Sequence, residues 1–392
     1  MIVVAEGEPG PEESQAEEAE EAAERRSAEV ELLWDLVFVF AVTRVTALLA
    51  HDLTWAGFGR SMLVLALIWW AWSAFAWVAN AQAPDAPSFR LTMLLATVLV
   101  FIVALAVPHA LGSKGLLFTL PYAGVRLLHL LLYVDASRHG GAQLRAVAGF
   151  SGTVVIGIVL LIAGAAFADG NTRVVLWVAA AAIDYAGPVW ISRDRLRSLQ
   201  RVAVPHFAER YGLFIIICLG ESIVDVGTAA ANDPSAGSVT LVSIALLITI
   251  ALWWIYFDRA AGLAREALAR SREPVLAASD GYSLLHLPLV SGILVFAVGA
   301  REAVVGFDHP LADAFRLALC GGVALYLAGH SAFLWRMLGS VKRSELVAAV
   351  LALALFAVSG SISAIVVCGL LLADLVGLAL YWSLAARERN ER

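Results

Sequence analysis

Two carboxylates lie one helical turn apart at the start of an apolar run, ELLWDLVFVFAVT at residues 31–43: they are Glu31 and Asp35. The charged residues of a second apolar run, FAERYGLFIIICLGESIVDV at 207–226, are Glu209, Arg210, Glu221 and Asp225. An ionisable side chain at the centre of a membrane span costs at least about 2.5–3.5 kcal/mol on insertion scales. It is tolerated where it faces a bundle interior, an opposite charge or water, so these groups indicate a functional site.

Helical spacing places several polar residues on common faces. The pairs with i,i+4 or i,i+3 spacing are Glu31/Asp35, Glu221/Asp225, Tyr282/His286 and Arg126/His129. Carboxylates, histidines and arginines that face one interior are what a proton relay or an ion path requires, because histidine titrates near neutral pH. The residues that we predict to line such a path are Glu31, Asp35, Arg126, His129, Asp184, Glu209, Arg210, Glu221, Asp225, Tyr282, His286 and His330.

Structural interpretations of the same residues remain open. Glu31 could lie at the membrane interface, near the positive end of a helix dipole. Glu209 and Arg210 could form a salt bridge between helices, with Asp35 as a partner. The histidines could each bond a backbone carbonyl or a Ser/Thr hydroxyl. Glu221 lies in the middle of its apolar run and is the hardest to explain in this way.

Metal binding is an alternative use of the histidines. The candidate ligands are His129, His286 and His330, which would have to converge from several helices. The three cysteines lie in apolar runs without a CxxC pair, which is typical of small buried side chains. No Gly-rich phosphate loop, GxSxG or HExxH motif is present. The sequence therefore predicts no cofactor.

Composition defines the class of protein that positions these residues. The 392-residue chain is 60% hydrophobic and 15% charged, with a mean hydropathy of +0.81, whereas soluble domains are about half apolar and a quarter charged. Runs of about 20 apolar residues recur along its length. We therefore predict an all-α polytopic protein of the plasma membrane. Nucleic-acid binding has no basic stripe to support it.

The apolar runs predict about twelve transmembrane helices. Their predicted bounds are 31–50, 61–80, 90–108, 115–134, 146–168, 173–191, 207–230, 238–257, 279–300, 311–335, 345–359 and 361–383. The last two share one apolar stretch that only SGS at 359–361 interrupts, so a single long helix over 345–383 is an alternative. Predicted loops on the side of the termini contain nineteen Lys and Arg, against four in the opposite loops. This asymmetry places both termini in the cytoplasm and requires an even number of spans.

The two halves of the chain resemble each other. The second helix of each half is Trp-rich, IWWAWSAFAW at 68–77 and LWWIYF at 252–257, and the fourth carries His129 or His330. We predict two six-helix repeats in parallel orientation. The predicted segments are an acidic tail 1–28 that is disordered or a short surface helix, repeats 29–206 and 207–384, and a basic cytoplasmic tail 385–392.

Three motifs carry a resemblance to a known family. The opening ELLWDLVFVFAVT, the block HFAERYGLFIIICLGESIVDVG at 206–227 and LHLPLVSGILVFAVG at 285–299 resemble the bacterial low-temperature-requirement A family, over roughly residues 29–384. The resemblance implies an integral membrane protein associated by name with growth in the cold and a stress response. A weaker similarity joins WDLVFVFAVT at 34–43 to the first helix of six-helix-repeat potassium channels. Trp34 replaces the serine of that motif, and the second repeat lacks its aspartate.

We interpret the chain as a transporter or channel that moves an ion, a proton or a small solute through a polar inner vestibule. The first alternative is an intramembrane enzyme or a metal- or haem-binding protein that uses the same His and carboxylate groups. A membrane-stress sensor or scaffold is the second. The partners expected are the lipid bilayer and a small ion or solute, and a homodimer is allowed.

Overall fold

A computed structural model describes residues 11–82, 86–188, 193–231 and 234–390 of the chain, without the side chains of residues 11–28, 259 and 385–390. The described residues form helices and connecting turns, with no β-strand among them. This all-helical architecture agrees with the predicted class. It follows from the composition, because an apolar segment in lipid must satisfy its backbone hydrogen bonds internally.

Fifteen α-helices make up the described part of the chain. They are α1 Pro11–His51, α2 Trp55–Ala79, α3 Pro87–Ala106, α4 Gly115–Arg138, α5 Leu144–Phe167, α6 Gly170–Ala186, α7 Arg193–Leu196, α8 Val204–Ala231, α9 Ala236–Ile255, α10 Ala261–Ala269, α11 Pro274–Ala278, α12 His286–Val305, α13 Asp313–Leu338, α14 Arg343–Val358 and α15 Ala364–Asn390. A 3₁₀ turn, Val107–His109, follows α3. Two π-helical segments, Tyr256–Ala260 and Ser279–Leu284, join α9 to α10 and α11 to α12.

Ten helical segments of the described chain are long and apolar enough to cross a membrane. They include the continuous stretches 236–269 and 274–305, which run through the π-helical segments. Helices α6 and α14 coincide with predicted spans six and eleven but contain only 17 and 16 residues. The stretch 345–383 is divided into α14 and α15, so the single-helix alternative is wrong. Residues 1–10 of the predicted acidic tail and 391–392 of the predicted basic tail lie outside the described residues, and 11–28 continue α1.

Several helix ends follow from local sequence. The Thr54 side-chain oxygen accepts a hydrogen bond from the Gly57 N–H at the start of α2. Ser235 and Ser238 form a reciprocal capping box at the start of α9. Gly339 follows α13 with a φ of +69°, a left-handed conformation that glycine adopts without strain.

The helices pack with the same neighbours in each half. In the first half, α1 packs on α2 and α3, and α4 lies between α3 and α5, which also contacts α6. In the second half, α8 packs on α9 and α12, and α13 lies between α12 and α14, which also contacts α15. Contacts between the halves are made by α1 and α2 with α8 and α12. The junction therefore lies between the first helices of the two predicted repeats.

Close helix packing in the second half depends on glycine. A Cβ atom at Gly299 would meet the backbone of Leu319, and one at Gly322 would meet the backbone of Phe296. Small residues of this kind let helix backbones approach closely in membranes, where the hydrophobic effect between helices is absent. They hold α12 against α13 beside the junction.

The distribution of apolar side chains separates the interior from the outer surface. In α2, Trp69, Trp72 and Phe75 are fully buried at the junction. Large apolar side chains are exposed on α3, α5, α9, α14 and α15, among them Leu91, Val159 and Val350. An apolar outer surface around a helical bundle is what contact with lipid acyl chains requires.

Candidate functional site

Four charged or titratable residues meet where α1 and α8 pack together. Arg210 Nη2 donates to Asp35 Oδ1 at 2.9 Å, and its Nη1 lies 2.8 Å from Glu31 Oε2. His206 Nε2 lies 2.9 Å from the same Glu31 oxygen. Glu31, Asp35 and Arg210 are buried, whereas His206 is partly exposed. We call these four residues the α1–α8 cluster.

Helical spacing produces the α1–α8 cluster. Glu31 and Asp35 share one face of α1, and His206 and Arg210 share one face of α8, so each i,i+4 pair meets the other across one interface. The Trp72 indole of α2 also donates to Asp35 Oδ1 at 2.7 Å. Glu31 Oε1 and Asp35 Oδ2 have no hydrogen-bond partner among the described protein atoms. The buried carboxylates therefore retain acceptor capacity.

A second network surrounds an internal cavity in the first half. Arg126 Nη2 donates to Asp184 Oδ1 at 2.8 Å, which joins α4 to α6. Arg126, His129 and Asp184 line a cavity of about 60 Å³, measured as the space open to the centre of a water molecule. Trp70, Ser73 and Trp77 of α2 form another wall, together with residues of α5 and the stretch 196–199. A water molecule needs at least about 10–15 Å³ of such space, so the cavity has room for water.

A chain of three hydroxyl groups lies at the wall of this cavity. The Tyr211 hydroxyl lies 2.8 Å from Ser73 Oγ and 2.8 Å from Ser283 Oγ. The Trp77 indole donates to Ser283 Oγ at 2.8 Å. Ser73 and Ser283 line the cavity, and Tyr211 follows Arg210 in the sequence. The second half of the chain thus contributes serine side chains to the cavity wall, and the first half contributes the charged residues Arg126 and Asp184.

Two further networks occupy the second half. His286 Nδ1 lies 3.2 Å from the Gly281 carbonyl, and its Nε2 lies 2.8 Å from the Tyr256 hydroxyl. A carbonyl oxygen only accepts, so Nδ1 carries the proton and Nε2 accepts from Tyr256. The Tyr282 ring stacks on His286 with centroids 5.1 Å apart. His330 Nδ1 lies 3.1 Å from Glu345 Oε1, and both residues are fully buried.

The remaining predicted residues lie outside these networks. Glu221 and Asp225 are half-buried on one face of α8. Asp225 pairs with Arg301 at 3.3 Å. Glu209 is exposed. The structure thus distributes the predicted site residues over separate networks, with Arg126, His129 and Asp184 at the cavity.

The arrangement bears on the metal-site alternative. His129 lies at the cavity, His286 contacts Tyr256, and His330 contacts Glu345. Among the described residues, no group of three or more His, Cys, Asp or Glu side chains is arranged to hold a metal ion. The three histidines that the sequence offered as ligands are held in different networks.

An ion-pair network absent from the sequence prediction joins the halves beside the cavity. Arg193 donates from Nη1 and Nη2 to both carboxylate oxygens of Asp280, at 2.9 and 2.8 Å. Arg336 of α13 donates from Nε and Nη2 to Asp280 Oδ2. The hydrogen bond to Asp280 raises the pKa of the Arg193 guanidinium above its usual value. Asp280 lies in the π-helical segment that supplies Ser283 to the cavity.

Sequence reasoning missed several partners of the predicted residues. Glu345 and Asp280 lie within the first two residues of predicted spans, so the criterion that selected Glu31 would also have selected them. Trp72 belongs to the Trp-rich run at 68–77, and its indole bonds Asp35. No sequence signal distinguishes Trp72 from its neighbours. The hydroxyls of Ser73 and Ser283 have no spacing that marks them.

Comparison with known proteins adds a family but no chemistry. The sequence profile described as "Bacterial low temperature requirement A protein (LtrA)" matches residues 26–380. The chain is also similar to "Uncharacterized protein RA0937" of Rhizobium meliloti (strain 1021), with 29% identity over 309 residues, which cover 76% of this chain and 75% of that protein. No solved structure matches the chain.

Proposed function

The chain belongs to the bacterial low temperature requirement A family, and from its buried ionisable groups we propose that it is a multi-pass plasma-membrane transporter or channel. Its cargo is a small ion, a proton or a small solute. The observation that carries this proposal is the water-sized cavity at the junction of the halves, lined by Arg126, His129 and Asp184.

The cost of burying these groups supports a functional role. Arg126 and Asp184 lie in α4 and α6, and Glu31, Asp35 and Arg210 lie in the spanning parts of α1 and α8. Helix association in lipid is achieved with small residues, as at Gly322 in this chain, and does not need charges. Charged groups in spanning helices mark ion and substrate pathways or proton relays.

The proposed path runs through the cavity rather than through one vestibule lined by all predicted residues. Ser73 and Ser283 line the cavity, and Tyr211 bonds both of them and follows Arg210 of the α1–α8 cluster. A hydroxyl chain of this kind, with waters in the cavity, provides hydrogen-bonding groups along a route through an otherwise apolar bundle. The α1–α8 cluster would then hold the two halves in register while the route opens and closes.

We also propose the twelve-span count, the six-plus-six repeat and the cytoplasmic termini. The matching neighbours of α1–α6 and of α8, α9 and α12–α15 support the repeat. A count of twelve requires that the short helices α6 and α14 also cross the membrane. They can do so if the bilayer thins locally or the flanking residues snorkel, at a modest cost. The excess of Lys and Arg on the side of the termini supports their cytoplasmic location.

Proteoliposomes test the proposal. The purified chain is reconstituted with internal reporters for pH, halide and K⁺, and salt and pH gradients are applied in turn. We expect protein-dependent flux under at least one gradient. Liposomes that contain folded, oriented protein and show no flux of ions or of protons under any gradient would contradict the proposal.

A further inference from the structure

We propose that the cavity beside Arg126 binds one small monovalent anion together with a proton on His129. The anion is of the size of chloride, bromide, nitrate or formate. This inference rests on the proposed function, because it names the class of ion that the same site takes. It is argued from the donors, charges, size and surroundings of the cavity.

Several donors of the cavity have no acceptor among the described residues. Arg126 is 2% exposed and uses Nη2 for Asp184, whereas its Nε and Nη1 have no hydrogen-bond partner in the described part of the chain. His129 is 3% exposed, and the described residues offer no hydrogen-bond partner to its Nδ1. A buried donor without an acceptor costs about 1–3 kcal/mol, and more when it is charged. An acceptor that binds next to the guanidinium and the imidazole would remove this cost, and an anion is the strongest hydrogen-bond acceptor for a charged donor.

Charge selects an anion over a cation. Arg126 presents its unmatched N–H groups, and a cation would face them directly. Among the described lining residues, Asp184 is the only carboxylate, and it already accepts from Arg126. Since Arg126 and Asp184 cancel, a bound monovalent anion leaves one negative charge in a medium of low dielectric constant. A proton on His129 neutralises that charge, so we infer that the anion and the proton bind together.

The groups that face His129 are consistent with this coupling. On its own helix, α4, the charged or titratable neighbours are Arg126 and Tyr133. From α6 comes Asp184. The walls from α2 and α5 present tryptophan, serine and apolar side chains, and the π-helical segment presents serines. Within the described lining, no other carboxylate competes with the anion for the proton.

The size of the cavity favours a small ion over a larger ligand. A volume of about 60 Å³ takes a few waters or one ion of one to four non-hydrogen atoms. A divalent oxyanion would carry a charge that one guanidinium and one imidazolium, with Asp184 beside them, do not balance. The site therefore selects monovalent over divalent anions.

Access to the cavity leads from a polar cleft formed by the connections α2–α3, α4–α5 and α7–α8. The cleft has a volume of about 760 Å³ and is lined by Asn80, Asp135, His139 and Gln143, among others. Leu199 lines both the cleft and the cavity. Gln200 accepts from the Tyr133 hydroxyl at 3.1 Å and donates to the Trp77 carbonyl at 2.9 Å. Leu199 and Gln200 thus form the barrier that an entering anion displaces.

Tryptophan fluorescence tests the site, because Trp70 and Trp77 line the cavity and bromide quenches tryptophan. The full-length protein in detergent is titrated with sodium bromide against sodium gluconate at constant ionic strength. We expect a saturable quenching component that chloride displaces and sulfate does not. Its affinity should rise several-fold from pH 8 to pH 6. Quenching without a saturable component at either pH overturns the proposal.

Variants separate the two ligating groups. Arg126→Lys keeps the pair with Asp184 but loses the fork of donors, and should weaken bromide binding by about tenfold or more. His129→Asn should weaken binding and remove its pH dependence. The matched control is Arg138→Gln, an exposed change on the same helix, which should bind as the wild type does. Wild-type affinity in Arg126→Lys, or an unchanged pH dependence in His129→Asn, overturns the proposal.

The outcomes also separate this site from the transport proposal. If the protein binds bromide saturably but moves no ion in liposomes, the anion site is supported and the transport proposal is contradicted. If the protein moves protons or cations but shows no saturable bromide binding, the transport proposal is supported and the anion site is contradicted.

Discussion

Arg210 of α8 and Asp35 of α1 face each other at 2.9 Å across the junction between the two halves of the chain. The pair is buried, and Glu31 lies on the other side of the same guanidinium at 2.8 Å. One cation thus holds two carboxylates from the opposite half. The contact joins the first helices of the two predicted repeats, α1 and α8.

Removal of the cation should destabilise the protein. In Arg210→Ala, Asp35 remains buried without a counter-charge and Glu31 keeps only His206 as a partner, which costs about 3–5 kcal/mol. Thermal or denaturant unfolding of the purified protein in detergent measures the change. The matched control is Glu209→Ala, because Glu209 is the exposed neighbour and its loss should cost under about 0.5 kcal/mol. Equal stabilities of the two variants would show that the pair contributes nothing.

Replacement of the three buried ionic residues of the α1–α8 cluster should separate stability from function. Apolar residues in place of a complete buried ion network are often neutral for stability. We therefore expect Glu31→Leu/Asp35→Leu/Arg210→Met to recover most of the stability that Arg210→Ala loses, and to lose ion flux in proteoliposomes. Wild-type flux in the stable triple variant would mean that these charges act only in assembly.

Helix packing beside the junction should be sensitive to one methyl group. In Gly322→Ala, the new Cβ meets the backbone of Phe296 and Gly292, which should cost about 1–3 kcal/mol of overpacking. Gly321 is the matched control, because its Cβ would meet only the Leu317 side chain at 3.4 Å. Gly321→Ala should be neutral or stabilising by up to about 1 kcal/mol. Unfolding in detergent compares the two, and a reversed order would refute the packing account.

The Asp280 network should respond to salt. Asp280→Asn keeps the shape of the side chain but removes the charge that Arg193 and Arg336 share. We expect a loss of about 1–2 kcal/mol at low ionic strength, because these hydrogen bonds join charged groups. The loss should shrink near 1 M salt, where the Debye length is about 3 Å.

The control for this prediction is Glu266→Gln, which removes an exposed pair with Arg270 on one helix. Exposed pairs of this kind contribute about 0.3–0.5 kcal/mol. If Asp280→Asn loses as little stability as Glu266→Gln, or if salt does not change its loss of stability, the network does not stabilise the contact between the halves.

The sequence predicted the class of fold because apolar runs and capping residues are local signals. It also placed Glu31 and Asp35 on one face of a helix from their i,i+4 spacing, and it offered a salt bridge between Arg210 and Asp35 as a structural alternative, which is the contact found. It did not show that Glu209 points away from the junction while Arg210 points into it. Adjacent residues on a helix differ by about 100° in direction, and a charged pair gives no apolar pattern from which to choose.

The separation of the polar residues into several networks was not predictable either. The networks depend on which helices become neighbours, and α2 lies between the α1–α8 cluster and the cavity. Its Trp72 bonds Asp35, while Trp70 and Ser73 line the cavity on another part of the helix. A single sequence contains no signal for such tertiary pairing. The cavity itself arises where α2, α4, α5, α6, the stretch 196–199 and the π-helical segment 279–284 meet.

One measurement tests most directly whether the cavity lies on the ion path. Ala74 lines the cavity, and the native cysteines Cys218, Cys320 and Cys368 are buried. Ala74→Cys protein in proteoliposomes is treated with a charged methanethiosulfonate reagent while ion flux and the extent of modification are recorded. The control is Leu131→Cys on the exposed apolar face of α4.

We predict that Ala74→Cys conducts before treatment, is modified, and loses its flux as modification proceeds, while Leu131→Cys and the wild-type protein keep theirs. Undiminished flux through fully modified Ala74→Cys protein would contradict the account, because a bulky charged group in the cavity would then leave the path open.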